Sequence, residues 1–320
     1  MRVTVISNRI RVTATSVRMS GVVPILALVS QPGGSPGHSV TPVANWTLEP
    51  SVVIGVCALV ALYVMGWRRA RGSGTHPTPP HAPGWGRLTL FGLGMFAVVA
   101  ALLSPIDVLG DQLLVMHMTQ HLLLLDIAPI LVILSFNKVL LRPVTRRINA
   151  IERRAGFFAG PVFAVIAYVG VMYAWHVPAS YDAALHNTTV HACEHLCFAA
   201  AGSLYWWHVL SPIRARRRLT GLGPVAYMTS TKLLVGAIGI WLAFSTTPVY
   251  PFYGHHPHYW GLSPVEDQNF AGLLMALEQS IVMGIALAWL FMRALAESER
   301  EQERRERFEL ASEGSREYVP

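Results

Sequence analysis

The sequence predicts an all-α fold: a polytopic membrane protein built as a seven-transmembrane-helix bundle, with its N-terminus outside and its C-terminus cytoplasmic. Three observations carry that expectation. Of the 320 residues, 52% are apolar and only 13% charged, against roughly 25% charged in soluble domains. Seven apolar stretches are each long enough to cross a hydrocarbon core of ~30 Å, which takes about 20 helical residues. The basic residues fall on alternate loops, a pattern that holds only for an odd number of spans.

Taken in order, the chain begins with Arg2, Arg9, Arg11 and Arg18, then "GVVPILALVS", an apolar run too short to span, and the Gly/Pro/Ser-rich "QPGGSPGHSV". That pattern resembles a signal sequence feeding an external N-terminus. Its cleavage site is poor, so a cleaved leader and an uncleaved external segment both stay open for residues 1–45. The membrane domain, residues 46–295, holds the seven spans. Span one runs approximately from Val52 to Trp67, span two from Leu88 to Leu103 and span three from Leu113 to Phe136. Spans four to seven run from Phe157 to Trp175, Val190 to Leu210, Pro224 to Phe244 and Phe270 to Met292.

Arg68, Arg69, Arg71 and Arg87 lie between spans one and two, and Lys138, Arg142, Arg146, Arg147, Arg153 and Arg154 follow span three. Arg214 and Arg216 to Arg218 follow span five, while Arg293, Arg300, Arg304, Arg305, Arg307 and Arg316 follow span seven. These are 20 of the 25 basic residues, and the other three loops carry none. The loaded side is therefore expected to be cytoplasmic. The net charge of +7 belongs to loops beside anionic lipid, so no nucleic-acid partner is implied. Residues 296–320, with "AESEREQERRERFEL", read as a solvated, charge-alternating cytoplasmic tail.

Topology sorts the 13 histidines. Nine lie on or near the outer face, and two pairs have helical i, i+4 spacing: "HMTQH" from His117 to His121 and "HACEH" from His191 to His195. Residues four apart on a helix are only ~40° apart in projection. Each helix thus offers a polar face of two histidines beside an oxygen-bearing residue, Gln120 or Glu194. The same layer would hold Met172 and His176 near the outer end of span four, and Met275 in span seven. Imidazole and thioether together suit copper, whereas thioether is a poor ligand for Zn²⁺. Structural hydrogen bonding is the bland alternative, but polar groups within membrane spans are costly and mark function by default.

Cys193 and Cys197 are also i, i+4, but Cys193 lies ~200° around the helix from His191, and small apolar packing suits both better than metal. Three further charges are buried: Asp126, Lys232 and Glu278. Lys232 and Glu278 lie at similar depth by residue counting, which predicts a structural ion pair with Asp126 as the competing partner.

Four strings carry a family resemblance: "HMTQHLLLLDIAP" from His117, "WHVPASYDAAL" from Trp175, "HACEHLCFAAAGSLYWW" from His191 and "DQNFAGLLM" from Asp267. They closely resemble the CtaG family of multi-span assembly proteins for caa-type cytochrome c oxidase, over roughly Trp46 to Met292. The resemblance implies an assembly factor rather than an enzyme, in a bacterial plasma membrane. It would aid copper insertion into the binuclear centre of a haem-copper oxidase, whose subunit would be its partner. Carried over by position, His117, His121, His176, His191, His195 and Met275 become candidate copper ligands. Gln120, Glu194, Asp267 and Gln268 would support them. The external "GHHPHYWG" lies outside the family pattern, and whether His255, His256 and His258 first capture the copper stays open.

Two other classes compete. His191, Glu194 and His195 form H-x-x-E-H, an inverted zinc-protease motif in which the glutamate activates water. Histidine pairs on facing helices would also hold a b-type haem. Oligomeric state is not legible in the sequence.

Overall fold

The computed structural model describes residues 40–72, 82–213, 219 and 221–316. The leader expectation therefore falls largely outside the described residues, as do Arg214 and Arg216 to Arg218. In chain order the helices are α1 (Pro50–Arg71), α2 (Trp85–Leu102), α3 (Pro105–Gly110), α4 (Leu114–Leu122), α5 (Ala128–Ser135), α6 (Lys138–Ala155) and α7 (Pro161–His176). There follow α8 (Pro178–His186), α9 (Thr188–Leu210), α10 (Gly223–Phe244), α11 (Pro251–Gly254) and α12 (Pro264–Arg316). A π-turn, Leu123–Ile127, joins α4 to α5 as one continuous span. No strand forms among the described residues; a single bridge pairs Val40 with Tyr259.

Local chemistry sets many of these boundaries. Proline stands in the first turn of α1, α3, α7, α8, α10 and α11, where its missing N–H costs nothing. Ser104, Asn137 and Asn187 cap α3, α6 and α9 with their side-chain oxygens. The start of α4 has no such local cap. Asp267 of α12 supplies one instead, accepting from the backbone N–H of Leu114 at 2.6 Å and of Val115 at 3.1 Å. A carboxylate on the exposed donors of a helix N-terminus is favoured by both hydrogen bonding and the helix dipole.

Among the described residues, five helices are long and apolar enough to cross a membrane, and a sixth span appears if α6 and α7, bent by 62°, are counted together. The predicted seven turn on two elements: α7 has 16 residues, and α9, with 23, carries His191, Glu194, His195 and His208. The same polar residues that raise the functional question thus lower the apolar content of α9. The span from Leu114 to Ser135 is the centre of the bundle, 61% buried over its apolar window against 11% for α1. It packs on α2, α3, α9 and α12.

The π-turn has a cause in the sequence. Pro129 lies in the first turn of α5, so it cannot donate to the carbonyl of Leu125, and its ring would clash there in a regular helix. The extra width of a π-turn relieves that clash. The Leu125 carbonyl then faces Gly202 of α9, where a Cβ would collide with the oxygen, carbon and Cα of Leu125. A second close crossing joins α10 and α12, where a Cβ on Gly272 would meet the backbone of Gly239, Leu242 and Ala243. Small residues let membrane helices approach at such points.

Two outcomes follow. Gly202→Val drives a side chain into backbone that cannot yield, so folded protein is lost, a destabilisation of at least about 3 kcal/mol, measured as the detergent-solubilised monodisperse fraction. Asp267→Ala removes the cap of α4 and lowers stability by roughly 1–2 kcal/mol, visible as a lower midpoint of thermal unfolding.

Candidate metal centre

The packing of α9 against the π-turn and α5 brings the two histidine pairs together. His117 and His121 stand one turn apart on α4 with ring centroids 4.4 Å apart, and His191 and His195 on α9 with centroids 4.2 Å apart. Across the helices, His117 stacks on His191 at 5.3 Å, and His121 meets His195 edge to face at 5.7 Å. Glu194 lies among them, fully buried, with Oε1 3.5 Å from His121 Nε2 and Oε2 3.8 Å from His117 Nε2. Ligand atoms of His117, His191 and Glu194 all fall within 4.8 Å of one another. Sequence spacing placed Glu194 beside the histidines as a supporting group, whereas its carboxylate sits in the donor set itself.

The polar atoms of this cluster are buried and without hydrogen-bond partners. They include both ring nitrogens of His117 and His121, Nε2 of His191 and His195, and both carboxylate oxygens of Glu194. Each such group costs on the order of 1–3 kcal/mol when left unsatisfied in an apolar interior, and a cation drawing on the bare nitrogen and carboxylate lone pairs would remove that cost. Donors around a transition metal at ~2.1 Å stand about 3.4 Å apart. The donor set therefore fits a metal ion after the side chains close by about 1 Å.

His176 joins the periphery of the cluster. Its Nδ1 is 2.7 Å from the carbonyl of Met172, which leaves the proton on Nδ1 and Nε2 bare, buried and unpartnered. It lies within electrostatic reach of His117 and His121. A wall of aromatic rings the sequence did not single out closes the site. Tyr181 packs on His117 at 5.0 Å and on Tyr250 at 4.1 Å, its hydroxyl meeting that of Tyr253 at 3.3 Å. Phe198 packs on His121 at 4.2 Å. "SYDAAL" contains Tyr181, but only packing shows that it faces the imidazoles.

Other expected residues take different places. Gln120 turns away to donate to Ala101 O at 2.9 Å and Asp107 Oδ1 at 2.8 Å, tying α4 to α3. Asp267 caps α4, and Gln268 holds the loop between α10 and α11 through Val249 N at 2.7 Å and Thr247 O at 3.2 Å. Met275 packs beside Gly239 of α10, and Met172 is a buried core residue. His255 and His258 are exposed, while half-buried His256 packs against Phe252 and Tyr253.

The ion pair expected between Lys232 and Glu278 is not formed. Among the described residues neither Glu278 nor Asp126 makes a salt bridge to Lys232, because α10 turns Thr231 inward and leaves Lys232 on a half-buried flank beside exposed Leu233. Glu278 instead shares the Gln279 amide with Asp126, Nε2 lying 3.1 Å from Glu278 Oε2 and 3.4 Å from Asp126 Oδ2.

One further residue escaped the sequence reading. Asp111, in the short loop after α3, is exposed yet has enough protein around its carboxyl that burial raises it above the usual carboxylate range. His191, His117 and His256 all lie within its electrostatic reach. Nothing in a lone aspartate beside a glycine announces that position.

Comparison with known proteins agrees with the motif resemblance. The model of the family described as cytochrome c oxidase caa3 assembly factor (Caa3_CtaG) matches residues 61–297. No curated protein and no solved structure matches the chain. With most of its length matched, including all four motifs, this multi-pass membrane protein belongs to the cytochrome c oxidase caa3 assembly factor family.

Proposed function

We propose that the chain binds copper near the outer membrane face through His117, His121, His191, Glu194 and His195, and delivers it to a haem-copper oxidase subunit as the binuclear centre is built. The observation that supports this most is the buried cluster of imidazoles and one carboxylate whose donor atoms have no other partner. With α7 and α9 as spans and amphipathic α6 lying along the inner surface, the topology is seven spans with the basic loops in the cytoplasm. That orientation sets the cluster toward the outside of a bacterial plasma membrane. Asp111 at the mouth attracts the arriving cation, with His256 beside it.

The donor set refines the oxidation state. Nitrogen and carboxylate oxygen suit a divalent ion, and Met275 packs beside Gly239 of α10. The copper bound here is accordingly Cu²⁺. A protease reading needs Glu194 to stand free as a base, and its position between His117 and His121 favours a ligand instead.

The test is metal content and visible absorption of detergent-purified protein. Near-stoichiometric copper is expected in the wild type, falling at least tenfold in a His117→Ala/His195→Ala double variant and in Glu194→Gln. Zinc in place of copper, haem bands, or no metal after copper loading would each reject the copper reading. In cells, oxidase assembled beside Glu194→Gln should lack binuclear copper.

Asp111→Asn tests the mouth separately. It should slow copper loading several-fold at low salt, with the effect shrinking as salt rises, and leave the final stoichiometry unchanged in a stopped-flow binding assay.

A further inference from the structure

A second polar group lies deeper in the bundle, and the metal site makes no use of it. Asp126, on the π-turn, is fully buried, roughly 18 Å along the span from the start of α4. Tyr168 of α7 donates its hydroxyl to both carboxyl oxygens at 2.8 Å. Trp206 of α9 donates its indole N–H to Oδ1 at 2.6 Å, and Gln279 Nε2 of α12 lies 3.4 Å from Oδ2. Glu278 of α12 stands beside it: the same Gln279 Nε2 lies 3.1 Å from Glu278 Oε2, so one amide bridges the two carboxyls.

Two ionised carboxylates sharing one amide nitrogen in a medium of low polarity repel strongly. One of the pair therefore carries a proton, and the donors around each oxygen say which. Asp126 receives Tyr168, Trp206 and Gln279, and donors of this kind favour the ionised form. Glu278 receives only Gln279 Nε2, at 3.1 Å, and its Oε1 is buried with no partner. Its half-buried flank meets lipid rather than water at this depth, where a bare charge is costly.

The elements around the pair bring no compensating cation. On α9, Tyr205 is buried beside Tyr168, and α10 contributes Thr231 with Lys232 on its outer flank. Helix α5 has no titratable residue, and Arg87 of α2 is held by the carbonyls of Leu134 and Phe136 at the other end of that helix.

We propose that Glu278 and Asp126 form a proton-binding site in the middle of the membrane, with the proton carried by Glu278 and donated to the Asp126 carboxylate. The pair then holds one negative charge instead of two. It stands roughly 7 Å further along the same helix than His121, close enough for a charge arriving in one layer to act on the other.

Infrared absorption of metal-free protein in an ester-free detergent tests this without reference to copper. A protonated carboxyl C=O stretch that disappears in Glu278→Gln is expected at neutral pH, at a frequency separate from any band of metal-free Glu194, which Glu194→Gln removes. Trp206→Phe keeps both carboxyls but removes a donor from Asp126, so it should shift the same band while the far-ultraviolet helix signal stays intact. This second variant decides the matter if Glu278→Gln does not fold. Absence of the band, its survival in Glu278→Gln, its loss in Glu194→Gln, or indifference to Trp206→Phe would overturn the assignment.

Discussion

The approach of α9 to the Leu125 carbonyl at Gly202 is the contact on which both polar layers depend. It exists because Pro129 leaves that carbonyl without its helical donor and widens the backbone into a π-turn, and because glycine lets α9 come close enough to cover it. One docking event then sets two registers. On one side of the crossing, His191, Glu194 and His195 meet His117 and His121; on the other, Trp206 meets Asp126. A bulkier residue at position 202 would disturb both layers at once, although it touches neither.

The two layers have similar composition but opposite bonding. Around Asp126 the donors and acceptors meet: a tyrosine hydroxyl, an indole N–H and an amide surround one carboxylate. Around Glu194 they do not, and imidazole nitrogens and carboxylate oxygens converge without pairing. In a medium that cannot supply hydrogen bonds, a satisfied network holds helices together. A convergent unsatisfied one is matched to a ligand carrying positive charge. That contrast, more than the presence of histidine, separates the proposed metal centre from a structural core here.

The supporting residues show how a membrane site is held rigid. Asp267 ties α12 to the first turn of α4, Gln120 ties α4 to α3, and Gln268 ties α12 to the loop between α10 and α11. None of them touches an imidazole, yet together they fix the helix that presents His117 and His121. The aromatic wall of Tyr181, Tyr250 and Tyr253 limits access from outside, and Asp111 marks the side still exposed.

By itself the sequence determined what depends on near neighbours along the chain. Helical periodicity put His117 with His121 and His191 with His195 on common faces, apolar run length marked the spans, and basic-loop alternation set their expected direction. Tertiary structure alone decided which faces meet. It set the Glu194 carboxylate among the imidazoles, turned Gln120, Asp267 and Gln268 to structural bonds, and put Glu278 with Asp126 on one amide, Gln279, rather than with Lys232. Residue counting finds depth but not azimuth, so Lys232 and Glu278 looked matched while facing different ways. The physical reason is that lipid and protein interior are about equally apolar, so hydropathy cannot tell a helix which neighbour to choose. That choice rests on close fits such as Gly202 over Leu125, which exist only once the helices have packed.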